Sequence, residues 1–252
     1  MSVDWLHGSK AGAMRPAQRL RALLKEKGVA TVGAHDGMSA VLAKQAGFDV
    51  LYLSGAALAA SMALPDLGLL TLEDVARRAR EIVRASALPL IVDCDTGFGE
   101  TLNVMRAVRE MEEAGVASIQ IEDQLLPKKC GHLNDKKLAD PLEMAAKVAA
   151  AVKARRHLYT VARTDAAASE GLDGAVRRAE IYLEAGADMI FPEALTSTEM
   201  FREFARRIGG KAPLMANMAE FGRTPYLTAA EFQDLGATEI VAATTFYPAE
   251  EY

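Results

Sequence analysis

Apolar positions along this chain switch between two periods. Short aliphatic and β-branched runs stand at Thr31–Ala34, Val50–Ser54, Pro89–Asp93, Ala117–Ile121, Leu158–Ala162, Asp188–Phe191, Pro213–Asn217 and Glu239–Ala243, and each reads as a buried strand. Between them the apolar spacing becomes helical. Leu72, Val75, Ala76, Ala79, Ile82 and Val83 form one stripe, with Arg77, Arg78, Arg80 and Glu81 on the opposite face. Val104, Val108 and Met111 repeat the pattern, as do Ala175, Ala179, Tyr182 and Leu183. The helices before the fourth and sixth strands end in Ala114-Gly115 and Ala185-Gly186, where glycine suits the residue just past a helix C-terminus. Strands alternating with helices predict parallel pairing with right-handed crossovers. Eight such units predict an α/β fold, the TIM (β/α)8 barrel, over an open doubly wound sheet, which usually has fewer strands. Residues 1–14 read as an N-terminal tail and 15–252 as one barrel domain. Only Thr244 to Tyr252 follow the eighth strand, so the final closing helix is expected to be missing.

Composition narrows the function classes. Of 252 residues, 50% are hydrophobic and 25% charged, which fits a globular chain and excludes disordered and fibrous classes. Lys and Arg number 29 against 34 Asp and Glu, for a net charge of −5, so the excess of basic residues expected of a nucleic-acid binder is absent. No apolar run reaches the roughly 18 residues of a membrane span. Met1 to Ala13 carries Asp4, His7 and Lys10 and no apolar centre, so it does not read as a secretory signal. A cytoplasmic location is expected, with Cys94 and Cys130 as reduced thiols.

A barrel of this kind builds its active site at the C-terminal ends of its strands. Those ends are rich in carboxylates: Asp93 and Asp95, Glu122 with Asp123, Asp165 and Glu193, joined by Arg163 and Asn217. Asp93 and Asp95, two positions apart, would share one strand face and send Cys94 to the other. Paired carboxylates suit Mg2+ or Mn2+, although an Asp pair at a strand end also caps turns and helices. The loop Pro127-Lys128-Lys129-Cys130-Gly131-His132 places a thiol beside two lysines and a histidine, a setting that favours a reactive thiol. A surface basic loop with an incidental cysteine is the alternative. Cys94, enclosed in a strand, reads as an inert buried thiol. His157 reads as a surface residue at the far end of the barrel. His35 and Asp36 close the first strand, and Arg202 to Lys211 reads as a solvated helix face.

These segments together resemble the isocitrate lyase and phosphoenolpyruvate mutase superfamily. The resemblance is carried by Tyr52-Leu53-Ser54-Gly55, Leu64-Pro65-Asp66, Asp93-Cys94-Asp95-Thr96-Gly97-Phe98-Gly99, Glu122-Asp123-Gln124, Lys128-Lys129-Cys130-Gly131-His132, Ala162-Arg163-Thr164-Asp165, Phe191-Pro192-Glu193-Ala194 and Ala216-Asn217-Met218. The Lys-Lys-Cys-Gly-His loop is similar to the lyase branch. With Gly33-Ala34-His35-Asp36-Gly37-Met38, the pattern resembles the bacterial 2-methylisocitrate lyases.

The resemblance implies Mg2+-dependent cleavage of 2-methylisocitrate to pyruvate and succinate, the C–C bond step of the methylcitrate route of propionate breakdown. It implies Mg2+ (or Mn2+) at Asp93 and Asp95, with Asp66 and Glu122 holding its waters. Ser54, Gly55, Ala56, Gly131, Arg163, Glu193, Asn217, Met218 and Ala219 would contact the substrate. Cys130 would be the acid that protonates the succinate carbanion, tuned by Lys129 and His132, and Tyr52 a partner for the hydroxyl proton. It further implies a small di- or tricarboxylate as ligand, a homotetramer, and a C-terminal helix swapped between subunits, which this sequence is expected to lack. Two departures stand out: Ala56 where some relatives carry glycine, and Ala219 where threonine is common. Other readings stay open. They are an isocitrate or 2,3-dimethylmalate lyase, an oxaloacetate decarboxylase or phosphonomutase on the same scaffold, and an inactive truncated remnant.

Overall fold

A computed structural model of the chain describes residues 14–26, 28–131, 133, 135–208, 210–219, 224–236 and 239–243. The expected tail and the residues after the eighth strand lie outside these, apart from Met14. The order of elements is α1 (Pro16–Glu26), β1 (Val29–Gly33), α2 (Gly37–Gln45), β2 (Leu51–Leu53), α3 (Gly55–Ser61), α4 (Leu72–Ser86), β3 (Leu90–Asp93), α5 (Thr101–Glu113), β4 (Ser118–Glu122), α6 (Pro141–Ala154), β5 (Tyr159–Thr164), α7 (Ala167–Glu184), β6 (Met189–Pro192), α8 (Thr198–Ile208), β7 (Met215–Ala219), α9 (Ala229–Asp234) and β8 (Glu239–Ala243). All eight expected strands are present, the eighth with the bounds expected and the others displaced by at most two residues at either end. The eight pair in parallel in the order β6-β5-β4-β3-β2-β1-β8-β7. A parallel bridge between Ile190 and Leu214 joins the two outer strands and closes the ring, as the TIM barrel predicts.

Local sequence explains the helix boundaries. Thr71 caps α4 in a reciprocal box with Asp74, and Asp140 caps α6 ahead of Pro141 at its first turn. Gly115 and Gly186 take φ of 84° and 100° just beyond α5 and α7, a left-handed conformation that a side chain would resist. The stripe on α4 is buried at Val75, Ala76, Ala79 and Ile82. Asp36 caps α2, its carboxylate accepting from Ser39 N at 2.7 Å, so the end of β1 is structural. Arg206 pairs with Glu203, Arg207 with Asp173 and Lys211 with Glu180, all on the solvent side of α8 or just past it.

Two apolar layers result. One lies between the strands and the helices around them and includes Cys94. The other fills the barrel: Val29, Val50, Ile91, Ala117, Tyr159, Val161, Met189 and Met215, with Leu20 of α1 packed into the same cluster. Alternation along the strands then sets what lies above it. Asp93 follows Ile91 on the inward face, Gln120 and Glu122 follow Ser118, and Arg163 follows Val161. The barrel interior is thus apolar below and charged above.

Candidate active site

The charged end is built from strand ends and the segments that follow. Asp93 closes β3. Asp95 lies beyond the strand with φ of 47°, so the shared-face argument for the pair is corrected. A left-handed turn, and not strand alternation, brings Asp95 back beside Asp93. Gly55 measures the convergence. A Cβ placed there would lie 3.1 Å from Asp95 Oδ1 and 3.2 Å from Asp93 Oδ2, so only glycine leaves that space open. Gly55 N donates to Asp93 Oδ2 at 3.2 Å, and Ser54 caps α3 by accepting from Ala57 N. Ala56 follows in the first turn of the same helix.

Lys128 departs from the surface reading of its loop. Its side chain is buried, pairs with Asp66 and lies 2.7 Å from Asp95 Oδ1. Burial pulls its pKa down, but Asp95, Glu122, Asp66 and Asp93 outweigh that and hold it well above the usual lysine range. Lys129 is held by its backbone, N to Gln124 Oε1 and O to Gln124 Nε2, both 2.9 Å. Cys130 is half-buried, and Leu133 N closes a turn on its carbonyl at 2.9 Å. Gly131 presses on the site: a Cβ there would fall 2.3 Å from Glu193 Cγ and 2.6 Å from Arg163 Nη2. His132 lies outside the described residues.

Arg163 sits at the centre of a carboxylate ring. It forms a two-pronged pair with Asp165, at 2.9 and 3.0 Å, and reaches Glu122 and Glu193 at 3.3 Å each. Lys136 adds a second cation on Asp165 at 3.3 Å and donates to the Gly131 carbonyl. Lys136 was not among the expected site residues, and Asp165 stood only among the strand-end carboxylates, without a role of its own. Asp165 was visible as the end of the Arg-Thr-Asp run, whereas nothing in the local pattern marked Lys136. Asn217 closes the inward face of β7 with its Oδ1 buried and unbonded among the described residues. Met218 packs its side chain into the outer layer, away from the carboxylates, and Ala219 ends β7. Tyr52 is buried below the acids, and its hydroxyl meets Gln120.

The electrostatics are unbalanced. Asp66 and Asp95 pair with Lys128, Asp165 with Arg163 and Lys136, and Glu122 and Glu193 with Arg163, so three cations serve these carboxylates and Asp93 beside them. Burial pushes Asp95 up to about 6 despite Lys128, and pushes Glu122 well above the glutamate range despite Arg163. Glu122 Oε1 is a buried oxygen with no hydrogen-bond partner among the described residues. Surplus buried negative charge, presented on hard oxygen donors, fits a divalent cation such as Mg2+. Cys94 behaves as expected: it is fully buried, and burial raises its pKa far above the thiol range. His157 is also structural, since its N–H and those of Arg156 and Leu158 all reach Glu112 Oε1 at the opposite end of the barrel.

Comparison with known proteins agrees with this geometry. A family profile described as phosphoenolpyruvate phosphomutase matches residues 20–250. A 2-methylisocitrate lyase of Bacillus subtilis (strain 168) is 53% identical over 96% of this chain and 80% of its own length. One from Aeropyrum pernix is also 53% identical, over 93% of this chain and 76% of its own. Among solved structures, a 2,3-dimethylmalate lyase superposes with a TM-score of 0.87 at 38% identity, covering 91% of this chain and 78% of the other. A phosphonopyruvate hydrolase solved with oxalate and Mg2+ gives 0.82 at 34% identity, covering 91% and 81%. No helix among the described residues is long and apolar enough to cross a membrane. The barrel, its acid-lined mouth and these matches together place the chain in the phosphoenolpyruvate phosphomutase family, within the PEP mutase/isocitrate lyase superfamily.

Proposed function

We propose that this chain is a Mg2+-dependent carbon–carbon lyase that cleaves (2S,3R)-2-methylisocitrate to pyruvate and succinate, as in propionate breakdown. One observation carries the reading: the Cys130 loop is seated on Arg163 and Glu193 through Gly131, directly over the acid-lined mouth of the barrel. The 2-methylisocitrate lyases at 53% identity supply the substrate class.

The chemistry follows from these residues. The substrate's hydroxyl proton leaves to the acid face, to the buried Glu122 Oε1, which has no hydrogen-bond partner among the described residues, whereas Asp95 Oδ1 beside it lies 2.7 Å from the Lys128 ammonium. The C–O bond becomes a carbonyl as the adjacent C–C bond breaks, and pyruvate departs as the ketone. The electron pair of that bond stays on the succinate fragment, so the carbanion forms there and not on pyruvate. Cys130, on the loop above, gives its thiol proton to that carbon and completes succinate. Arg163 and Asn217 face substrate carboxylates, with Asp165 keeping the guanidinium in plane. Asp93 and Asp95 would hold Mg2+ or Mn2+, with Asp66 and Glu122 orienting its waters. When bound, the metal supplies a fixed positive charge that holds the 2-hydroxy-acid end of the substrate. Gly131 lets the loop approach closely enough to exclude water. Cytoplasmic location and a homotetrameric assembly complete the proposal.

The test is a product assay with Mg2+ and 2-methylisocitrate, beside isocitrate and 2,3-dimethylmalate, with and without chelator. Chelator-sensitive release of pyruvate and succinate in equal amounts is the expected result. Preferential turnover of 2,3-dimethylmalate would reassign the substrate, and no turnover of any of the three would overturn the lyase reading.

A further inference from the structure

Tyr52 and Gln120 form a buried polar pair just below the acids, above an otherwise apolar barrel filling. They are 68 positions apart in sequence and meet only because β2 and β4 both flank β3. Tyr52 Oη lies 2.5 Å from Gln120 Oε1, and Gln120 Nε2 lies 3.2 Å from Asp93 Oδ1. The direction of this chain is fixed by chemistry. An ionised carboxylate only accepts hydrogen bonds, so Gln120 must turn its amide nitrogen toward Asp93. Its carbonyl oxygen then faces Tyr52, whose hydroxyl must donate. Burial and the Asp93 charge raise the Tyr52 pKa well above the phenol range, which keeps it a donor. Three bonds thereby hold the Asp93 carboxylate: Gly55 N on Oδ2, with Asp95 N and Gln120 Nε2 on Oδ1.

We propose that Tyr52 and Gln120 are positioning residues that set the orientation of the Asp93 carboxylate, and through it the affinity of the site for a divalent cation. The inference rests on the proposed placement of that cation at Asp93 and Asp95. It assigns Tyr52 a role other than partner to the substrate hydroxyl, because the phenol's one proton is already directed at Gln120. Oriented outer partners of metal-holding carboxylates commonly change affinity ten- to a hundredfold when removed.

The experiment titrates Mn2+ into the full chain by electron paramagnetic resonance, without substrate, for the wild type, Tyr52→Phe, Gln120→Met and the double variant. Circular dichroism verifies that each is folded. Gln120→Met is expected to weaken Mn2+ by about ten- to a hundredfold, and Tyr52→Phe, one bond further away, by roughly two- to tenfold. The double variant should bind no more weakly than Gln120→Met, since Tyr52 acts only through Gln120. In turnover assays the Tyr52→Phe deficit should shrink as Mg2+ rises. Folded Tyr52→Phe with wild-type Mn2+ affinity would overturn the proposal. So would additive losses in the double variant, or a Tyr52→Phe turnover deficit unchanged at saturating metal. Should Gln120→Met itself fail to fold, Tyr52→Phe alone decides between these results. A wild type that binds Mn2+ with the expected variant pattern but cleaves no substrate would retain the relay and reject the lyase reading. A wild type that binds no Mn2+ would reject the relay.

Discussion

The two ends of the barrel both hold acids, half-buried at one and buried at the other, and they treat them differently. At the N-terminal end, Glu112 Oε1 accepts three backbone N–H groups from Arg156, His157 and Leu158, at 2.8 to 3.0 Å. Asp188 there pairs with Arg155 and accepts from Thr160 N. Burial raises the Glu112 pKa, but its N–H donors outweigh that and hold it below the ordinary glutamate range. At the C-terminal end, burial wins at two acids, pushing Asp95 to about 6 and Glu122 above its usual range, while Arg163 and Lys136 hold Asp165 below its own. The lesson is one of donors. Where backbone N–H groups converge on one oxygen of a half-buried carboxylate, as on Glu112 Oε1, the charge stabilises the fold even though Oε2 has no hydrogen-bond partner among the described residues. Where carboxylates outnumber their cations, the charge is left for a ligand to neutralise.

The sharpest break of this contrast is Cys130→Ser. It leaves both ends of the barrel intact and should lower turnover of 2-methylisocitrate by about 10²–10⁴, with the melting temperature unchanged. A variant keeping more than about a tenth of wild-type turnover would remove Cys130 from proton transfer. Next is Gly131→Ala, whose Cβ would collide with Glu193 and Arg163. Displacing the loop by about 1 Å should cost roughly 10² in turnover, read in steady-state kinetics, with little change in stability. Third, Mg2+ at about 100 times its dissociation constant should stabilise the chain by about 2.7 kcal/mol. Calorimetry with and without chelator should show a melting shift on the order of 5–10 °C.

The smallest effect tests the other end. Glu112→Gln should cost about 1–3 kcal/mol in urea unfolding and spare turnover of the folded fraction. Its sign with pH is fixed. The Glu112 pKa is lower folded than unfolded, so in the window between them the unfolded chain binds more protons. The stability it contributes is present above the unfolded value and is lost as pH falls below about 4.3 and through the folded value. Glu112→Gln should flatten that part of the stability profile. An unchanged profile would mean that the three N–H contacts contribute little.

Much of this was legible before the structure. The short aliphatic runs predicted eight strands, and each was found within two residues, because a fully enclosed parallel strand must be apolar on both faces. The Ala-Gly pairs marked helix ends, since left-handed φ is cheap only for glycine. Carboxylates at strand ends marked the mouth. Asp95 was misread because alternation applies only inside a strand, and its left-handed φ lies just past the end of one. Lys128 was read as part of a positive field around the thiol, because sequence neighbours shared its charge while its carboxylate partners lay far along the chain.

What the sequence by itself determined is therefore periodic and local: the number and order of the βα units, the caps, and charged residues at the ends of β3, β4 and β5 above apolar runs. The tertiary structure decided the pairings: Lys128 with Asp66 and Asp95, Gly131 against Glu193 and Arg163, and Tyr52 through Gln120 to Asp93. The reason is physical. Hydrophobic periodicity is a property of each segment and repeats whatever its neighbours are, whereas a hydrogen bond or ion pair exists only at contact distance. Closure of the barrel sets which distant side chains reach that distance, and burial then decides which of their charges are satisfied and which remain for a ligand.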